Sequence, residues 1–341
     1  MAGPDPAVAQ LRSAVRPALA ASEQPVLVAC SGGADSLALA AALAFEGPRA
    51  GVPVGAVIVD HGLQPGSAEH ADRTATLLRT LGLDPVRVVP VDVGNAGGPE
   101  AAARTARYAA LGAAARDVDA RIALGHTLDD QAETVLLGLG RGSGPRSVAG
   151  MQPQRTTDGI TWWRPLLGIR RSTTRAACAA LELPVWDDPW NVDPAYQRVR
   201  LRTEVLPLLE DVLGGGVAAA LARTATLLRE DLDALDDLAA TELLRLSRDD
   251  GLPAGQLADL PAALRRRVLR GWLKEVGVPD LQAVHLGAVD DLLTRWRGQG
   301  RVDLPGGAGV VRASGRLVLQ PAGAQRTHGG FAPHDLEERD T

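Results

Sequence analysis

The stretch Val26-Leu27-Val28-Ala29-Cys30-Ser31-Gly32-Gly33-Ala34-Asp35-Ser36-Leu37-Ala38-Leu39 carries an apolar strand into a glycine turn that opens directly into a helix. That order builds a phosphate-binding geometry. Gly32 and Gly33 lack a Cβ, so the backbone can bend sharply and approach an anion closely. Ser31 and Ser36 add hydroxyls, and the first-turn amides of the helix, at the positive end of its dipole, face the bound phosphate. A phosphate loop of the Gly-Lys-Ser/Thr kind needs a lysine to reach the terminal phosphates. None is near, because Lys274 is the only lysine in the chain. The plainer alternative, a Gly-Gly pair merely joining a buried strand to a buried helix, leaves two hydroxyls and the Asp35 carboxylate at the turn without a purpose.

Working outward, four apolar runs alternate with helical patterns through about residue 140. The strands expected are Val26 to Cys30, Val54 to Val59, Val86 to Val91 and Ile122 to Leu124, with helices near 8 to 20, 35 to 45, 67 to 81 and 99 to 116. Right-handed crossovers between such units give an α/β fold, a doubly wound parallel sheet covered on both faces. Ligand then lies over the carboxyl ends of the strands. A polar, glycine-rich segment from Gly138 to Gly159 breaks the pattern. The chain resumes at Trp162 to Leu167, with helices near 171 to 182 and 199 to 212. Gly214-Gly215-Gly216 reads as a helix stop and hinge. Beyond it come a long amphipathic helix over 217 to 248 and helices near 261 to 276 and 280 to 296. Two or three short antiparallel strands are expected between Val302 and Gln320. The expected organisation is a catalytic domain over 1–213, a helical domain over 217–298, a small β element over 299–322 and a disordered tail over 323–341.

At 341 residues the chain is too long for one ordinary core. Its net charge of −5 argues against indiscriminate nucleic-acid binding without excluding a local basic face. Two cysteines, Cys30 and Cys178, form neither a metal nor a redox spacing and read as inert thiols. No apolar run has the length of a membrane span and none follows a basic leader, so a cytoplasmic protein is expected.

Further polar clusters fall at strand ends. Asp60 and His61 end the second strand, where Asp60 could bind ribose or organise a metal and His61 could touch a nucleotide; a satisfied structural histidine explains His61 equally well. Glu100, Arg104 and Arg107 share one stripe of the helix before the fourth strand. The two arginine forks could clamp phosphate or a nucleic-acid backbone, though a salt-bridged solvated face accounts for the stripe on spacing alone. The run His126-Thr127-Leu128-Asp129-Asp130-Gln131-Ala132-Glu133 is stronger, because Asp130 and Glu133 share a helix face. Paired carboxylates facing phosphate call for Mg²⁺ or an incoming ammonium between them. Helix capping by Asp129 or Asp130, with Glu133 exposed, explains only one carboxylate. Gly140-Arg141-Gly142-Ser143-Gly144 is too glycine-rich for regular structure and reads as a mobile lid or as a flexible surface connection.

Taken in order, these motifs resemble the tRNA(Ile)-lysidine synthetase family of the N-type ATP pyrophosphatase superfamily. The resemblance rests on Ser31 to Ser36, Asp60-His61-Gly62-Leu63, Glu100 with Arg104 and Arg107-Tyr108, and His126 with Asp129-Asp130 and Glu133. It continues through Arg141-Gly142-Ser143-Gly144, Arg164-Pro165-Leu166-Leu167, Asp188-Pro189 with Asn191 and Asp193, and Arg198, Arg200 and Arg202. Asp303-Leu304-Pro305-Gly306-Gly307 matches a further family segment. Trp190 departs from an expected serine and Val199 from an expected asparagine.

The resemblance implies ATP as substrate with Mg²⁺, and as partners L-lysine and a tRNA(Ile) carrying a CAU anticodon; a homodimer is left open. ATP would adenylate C2 of the wobble cytidine with release of pyrophosphate, and the ε-amino group of lysine would displace AMP. Ser31, Gly32, Gly33, Ala34, Asp35, Ser36, Asp60 and His61 would bind ATP. Asp35, Asp130 and Glu133 would be catalytic, with Asp35 and Asp130 organising Mg²⁺ and Glu133 guiding the lysine ammonium. Arg104, Arg107, Arg141, Arg198, Arg200 and Arg202 would contact tRNA or phosphate. Arginines 170, 171, 175, 265, 266, 267 and 270 could follow the RNA backbone, and Trp162 or Trp163 could stack on a base. A tRNA thiolase would want a cysteine pattern that is missing, and an ammonia-using synthetase would want a glutaminase segment. A noncatalytic nucleotide binder needs the loop alone. Pyrophosphate release separates enzyme from binder, and lysine dependence separates ligation from thiolation.

Overall fold

The computed structural model describes residues 3–322 apart from residues 63, 65, 95–97, 143, 189, 191, 192 and 249, and it leaves the side chains of Pro99 and Glu100 undescribed. The Glu100 side chain, Ser143, Asn191 and the expected disordered tail over 323–341 therefore lie outside the described residues. In chain order the first elements are α1 (Pro6–Ala20), β1 (Val26–Ala29), α2 (Ala34–Glu46), β2 (Val54–Asp60), α3 (Ser67–Thr80), β3 (Val86–Pro90), α4 (Pro99–Asp117), β4 (Arg121–Leu124) and α5 (Leu128–Arg141). Then follow α6 (Pro145–Val148), β5 (Gln154–Thr157), β6 (Ile160–Trp163), α7 (Arg171–Ala180), α8 (Gln197–Arg200), α9 (Leu206–Val212) and α10 (Val217–Leu246).

These strands form one six-stranded sheet of order β3-β2-β1-β4-β6-β5, parallel except for β5. β1 is central, with Val26 opposite Val54 of β2 on one side and opposite Arg121 of β4 on the other. Strand order reverses at β1, and the crevice at such a switch point is where open α/β sheets bind ligand. Alternate residues of β1 feed opposite cores. Val26 and Val28 pack with Leu37, Leu43, Leu78 and Ala177 beneath α1, α2, α3 and α7. Leu27 packs with Val57, Leu111 and Ile122 beneath α4. Burial on both faces explains the uninterrupted apolar runs of the sequence.

The Gly138-to-Gly159 segment is more regular than expected. α5 continues to Arg141, taking in Gly140, and only Gly142 turns left-handed, with φ of 60°, to end the helix. Gly138 is tolerated in the helix because the Ser147 backbone crowds the place a Cβ would take. β5 is an exposed, polar edge strand paired antiparallel to β6. Its hairpin turns through Asp158 and Gly159, both at positive φ.

By backbone contacts the chain divides into Met1–Arg229 and Glu230–Thr341. The second unit adds β7 (Leu252–Pro253), α11 (Ala254–Ala258), α12 (Ala262–Glu275), α13 (Ala283–Thr294), β8 (Val302–Asp303), β9 (Gly309–Ala313) and β10 (Arg316–Gln320). The strands make an antiparallel sheet of order β7-β10-β9-β8. Leu257, Leu269, Val289, Val310 and Leu317 lie in its core. Among the described residues no single helix is long and apolar enough to cross a membrane.

Candidate active site

The loop after β1 is braced from within. The Ser36 hydroxyl accepts from the Ser31 amide at 3.1 Å and donates to the Gly33 carbonyl at 3.0 Å, so it shapes the turn instead of pointing outward. Gly32 sits at φ +83°, and a Cβ there would meet the His70 ring at 2.5 Å. His70 Nε2 donates to the Ser31 carbonyl at 2.9 Å, and the His70 ring lies 4.0 Å from that of Trp186. The Trp186 amide in turn donates to Gly32 O at 3.0 Å. Gly33 caps α2 without any side-chain hydrogen bond to the helix end. The first-turn amides are thus left for an anion.

β4 delivers the second part of the site. Gly125 lets it approach closely, since a Cβ would lie 3.0 Å from the Asp35 backbone. Thr127 is the N-cap of α5, and its amide and hydroxyl both donate to Asp130 Oδ2 at 2.8 Å. Neither Asp129 nor Asp130 is the cap. Asp130 holds the capping residue with one oxygen and keeps Oδ1 for Arg171 Nη2 at 2.5 Å.

Arg171, at the first turn of α7, ties the carboxylates together. Its Nε donates to Asp35 Oδ2 at 3.2 Å and its Nη1 to Glu133 Oε1 at 3.4 Å, while its backbone amide donates to Asp129 Oδ2 at 2.8 Å. Thr174 donates to Asp35 Oδ1. Glu133 is fully buried, against the exposed position that simple capping would give it, and Arg202 Nε donates to it at 2.9 Å. Arg198 lies 3.8 Å from Glu133, and Arg170 lies 3.4 Å from Asp129.

Charge and burial set the carboxylates apart. Burial raises the Asp35 pKa, aided by nearby Asp130, and outweighs Thr174 and Arg171. Burial pushes Asp130 upward too, but Arg171 and the Thr127 bonds win and hold it below the usual range. His126 is driven below its ordinary value by burial and by Arg164, Arg107 and Arg104. His61 is lowered by burial and by Arg107. The Nδ1 atoms of both histidines are buried without a hydrogen-bond partner. Asp60 accepts from the Gly62 amide at 3.0 Å.

The expected residues separate into those drawn together and those left apart. Asp35, Asp130, Glu133, Arg198 and Arg202 converge. Arg104 lies over Tyr108 with 4.8 Å to the ring centroid, and Arg107 is held near the same ring and His61. Arg141 is exposed in the last turn of α5. Arg200 is exposed and pairs with Glu204 at 2.9 Å. Arg265 is no RNA-facing residue, because it is buried against Asp290 at 2.6 Å. Trp162 and Trp163 are both buried, which removes base stacking from them. Val199 is buried too, so an apolar residue suits that departure from the family pattern. Cys30 and Cys178 are buried free thiols, Cys178 pushed up to about 11 by burial. Sequence reading passed over His70, Thr174 and Trp186, and saw Arg171 only as one of a run. Their partners are distant in sequence, so no local spacing signals them.

A glycine turn with uncapped helix amides at the switch point of a parallel sheet, facing carboxylates, defines a PP-loop domain, and residues 6–209 match the PP-loop domain family. Residues 252–318 match the TilS substrate binding domain. The chain belongs to the tRNA(Ile)-lysidine synthase family. It is 57% identical over 299 residues to the tRNA(Ile)-lysidine synthase of Streptomyces coelicolor, covering 86% of this chain and 85% of that relative. Against the tRNA(Ile)-lysidine synthase of Salinispora tropica it is 54% identical over 332 residues, covering 95% and 100%. Among solved structures, the U34-tRNA thiolase NcsA from Methanococcus maripaludis superposes with a TM-score of 0.54 at 18% identity, over 65% of this chain and 80% of that one. That likeness concerns the fold.

Proposed function

We propose that this chain joins lysine to C2 of the wobble cytidine of a CAU-anticodon tRNA(Ile), consuming ATP through an adenylated tRNA and releasing pyrophosphate and AMP. The observation that carries the reading is the convergence of Asp35, Asp130 and Glu133 on one point beside a loop whose helix amides have no side-chain cap. The loop amides hold the ATP phosphates and stabilise the charge that builds during adenylation. Asp60 and His61, at the end of β2, border the nucleotide.

The ε-ammonium of lysine is a compact cation that the carboxylate cluster suits, and Glu133 orients it. An unprotonated carboxylate of the same cluster takes its proton before the amine attacks C2. Asp35 Oδ1, Asp35 Oδ2 and Asp130 Oδ1 each accept one bond here and keep a second lone pair, whereas Asp130 Oδ2 is taken up by Thr127, and hard carboxylate oxygens fit Mg²⁺. Mg²⁺ held by Asp35 and Asp130 would neutralise phosphate charge, which requires the Arg171 guanidinium to withdraw from between them. Arg104, Arg107, Arg141, Arg198, Arg200 and Arg202 are the candidates for RNA or phosphate contact. Residues 1–213 form the catalytic part, the helices over 217–298 contact tRNA, and 299–322 add a small β element. A cytoplasmic enzyme completes the proposal.

The test is incorporation of labelled lysine into an unmodified CAU-anticodon tRNA(Ile) by purified protein with ATP and Mg²⁺. ATP-dependent product that disappears in Asp35→Asn is the expected result. Intact protein that incorporates no lysine into authentic tRNA overturns the reading.

A further inference from the structure

Apart from the carboxylate cluster, the first unit carries a cleft of about 490 Å³ between α4 and the β5–β6 hairpin. Its walls hold Arg104 and Arg116 from α4, Arg155 from β5 and Arg164 just past β6, against one lining carboxylate, Asp158. Among the described residues none of Arg116, Arg155 or Arg164 makes an ion pair, in a chain whose net charge is −5. The buried Nε of Arg164 has no hydrogen-bond partner, although its Nη1 donates to Gln152 O at 3.0 Å. What marks the cleft is the gathering of four arginines against a single lining carboxylate. The surplus positive charge is felt by Tyr108: burial acts to raise its pKa, yet Arg104, Arg107 and Arg164 draw it below the ordinary value.

The length of the cleft selects the ligand. Arg104 and Arg116 are twelve residues apart on one helix, or about 18 Å at the helical rise. A single nucleotide's phosphates do not fill such a row, whereas successive phosphodiesters of a polymer do. Arg164 follows the carboxyl end of β6, the same edge of the sheet that bears the glycine loop. β5, the outer wall, is an exposed polar strand with no apolar face to offer a protein partner.

We propose that this cleft holds the phosphodiester backbone of the RNA substrate, with Arg116 and Arg155 gripping it on the side away from the ATP loop. The identity of the RNA rests on the lysidine-forming reading; the grip itself rests on the cleft. Phosphate contacts of this kind position the RNA without reading its sequence.

The experiment measures binding of unmodified CAU-anticodon tRNA(Ile) to the full-length chain and to Arg116→Ala with Arg155→Ala, across a salt series, with ATP affinity measured on the same proteins. Both arginines are exposed, and circular dichroism checks the fold. The expected result is RNA affinity weakened about tenfold and a log–log salt slope smaller by about two, with ATP affinity as in the unsubstituted chain. Arg116→Lys with Arg155→Lys should restore RNA binding. RNA affinity and salt slope equal to the unsubstituted chain overturn the proposal, as does equal weakening of ATP and RNA, or no restoration by lysine. If the unsubstituted chain incorporates no lysine while the alanine pair still weakens RNA binding, the lysidine reading fails and the cleft assignment stands.

Discussion

Two buried arginine–carboxylate assemblies, one in each unit, use the same chemistry to opposite ends. In the second unit Arg265 donates to Asp290 at 2.6 Å and to the carbonyls of Leu260 and Ala258 at 2.8 and 3.3 Å. Both side chains are nearly inaccessible, at 9% and 5%. In the first unit Arg171 is shared among Asp35, Asp130 and Glu133. There Arg171 remains 19% and Asp35 25% exposed. The closed pair fastens α12 to α13. The open cluster sits at strand ends beside uncapped amides, where a cation or anion can enter and exchange partners. The contrast teaches that a buried arginine–carboxylate assembly marks a working site when several carboxylates gather on one arginine at strand ends, whereas Asp290, held by Arg265 and by the exposed Arg266 at 3.1 Å, serves to fasten two helices.

Breaking the closed pair should give the largest effect. Arg265→Ala leaves Asp290 buried without its main partner and should destabilise the second unit by about 3–5 kcal/mol, read by chemical denaturation. Arg265→Met combined with Asp290→Leu should recover most of that loss, as removing both charges avoids an orphan. In the open cluster the expected damage is to turnover. Asp130→Asn keeps the fold and lowers lysine incorporation by about 10²–10³-fold; turnover near that of the unsubstituted chain would end its catalytic assignment.

The loop itself sharpens the comparison. Gly32→Ala must displace His70 and hold a Cβ at φ +83°, so ATP affinity should fall about tenfold from 1–2 kcal/mol of strain, measured by titration. Glu210 offers a milder contrast, because its carboxylate accepts from the Val217 and Ala218 amides at 2.9 and 3.1 Å at the start of α10. Those bonds lower its pKa, so its contribution is present above the unfolded glutamate pKa and is lost as pH falls through the depressed value. Thermal midpoints at neutral and acid pH should therefore differ less in Glu210→Gln. Arg200→Ala removes an exposed pair with Glu204 and should leave melting unchanged, while tRNA affinity, measured by titration, should fall if the RNA contact proposed for it holds.

The parallel sheet was legible because β1, β2 and β4 are buried on both faces and read as continuous apolar runs between helical patterns. β5 was not, because Gln154–Thr157 is polar and exposed on an edge. The Asp158-Gly159 turn was the available sign, and its hairpin stood unread inside a segment judged by glycine content. At the site, Asp130 and Glu133 were visible from their shared helix face. Arg171 could not be singled out, since α7 is brought to α2 and α5 only by tertiary packing, and an arginine in a basic run carries no mark of its partners. Arg265 shows the converse, for its run of arginines looks solvated until Asp290 is found beneath it.

The stacking of His70 on Trp186, with each bonded to the backbone of the glycine turn, gives the nucleotide loop an optical reporter of its own. Indole emission is sensitive to a neighbouring imidazole and to the hydrogen bonding of its surroundings. A variant retaining Trp186 as its sole tryptophan would convert movements of the turn into a fluorescence trace, so that ATP arrival could be timed directly, before any product forms.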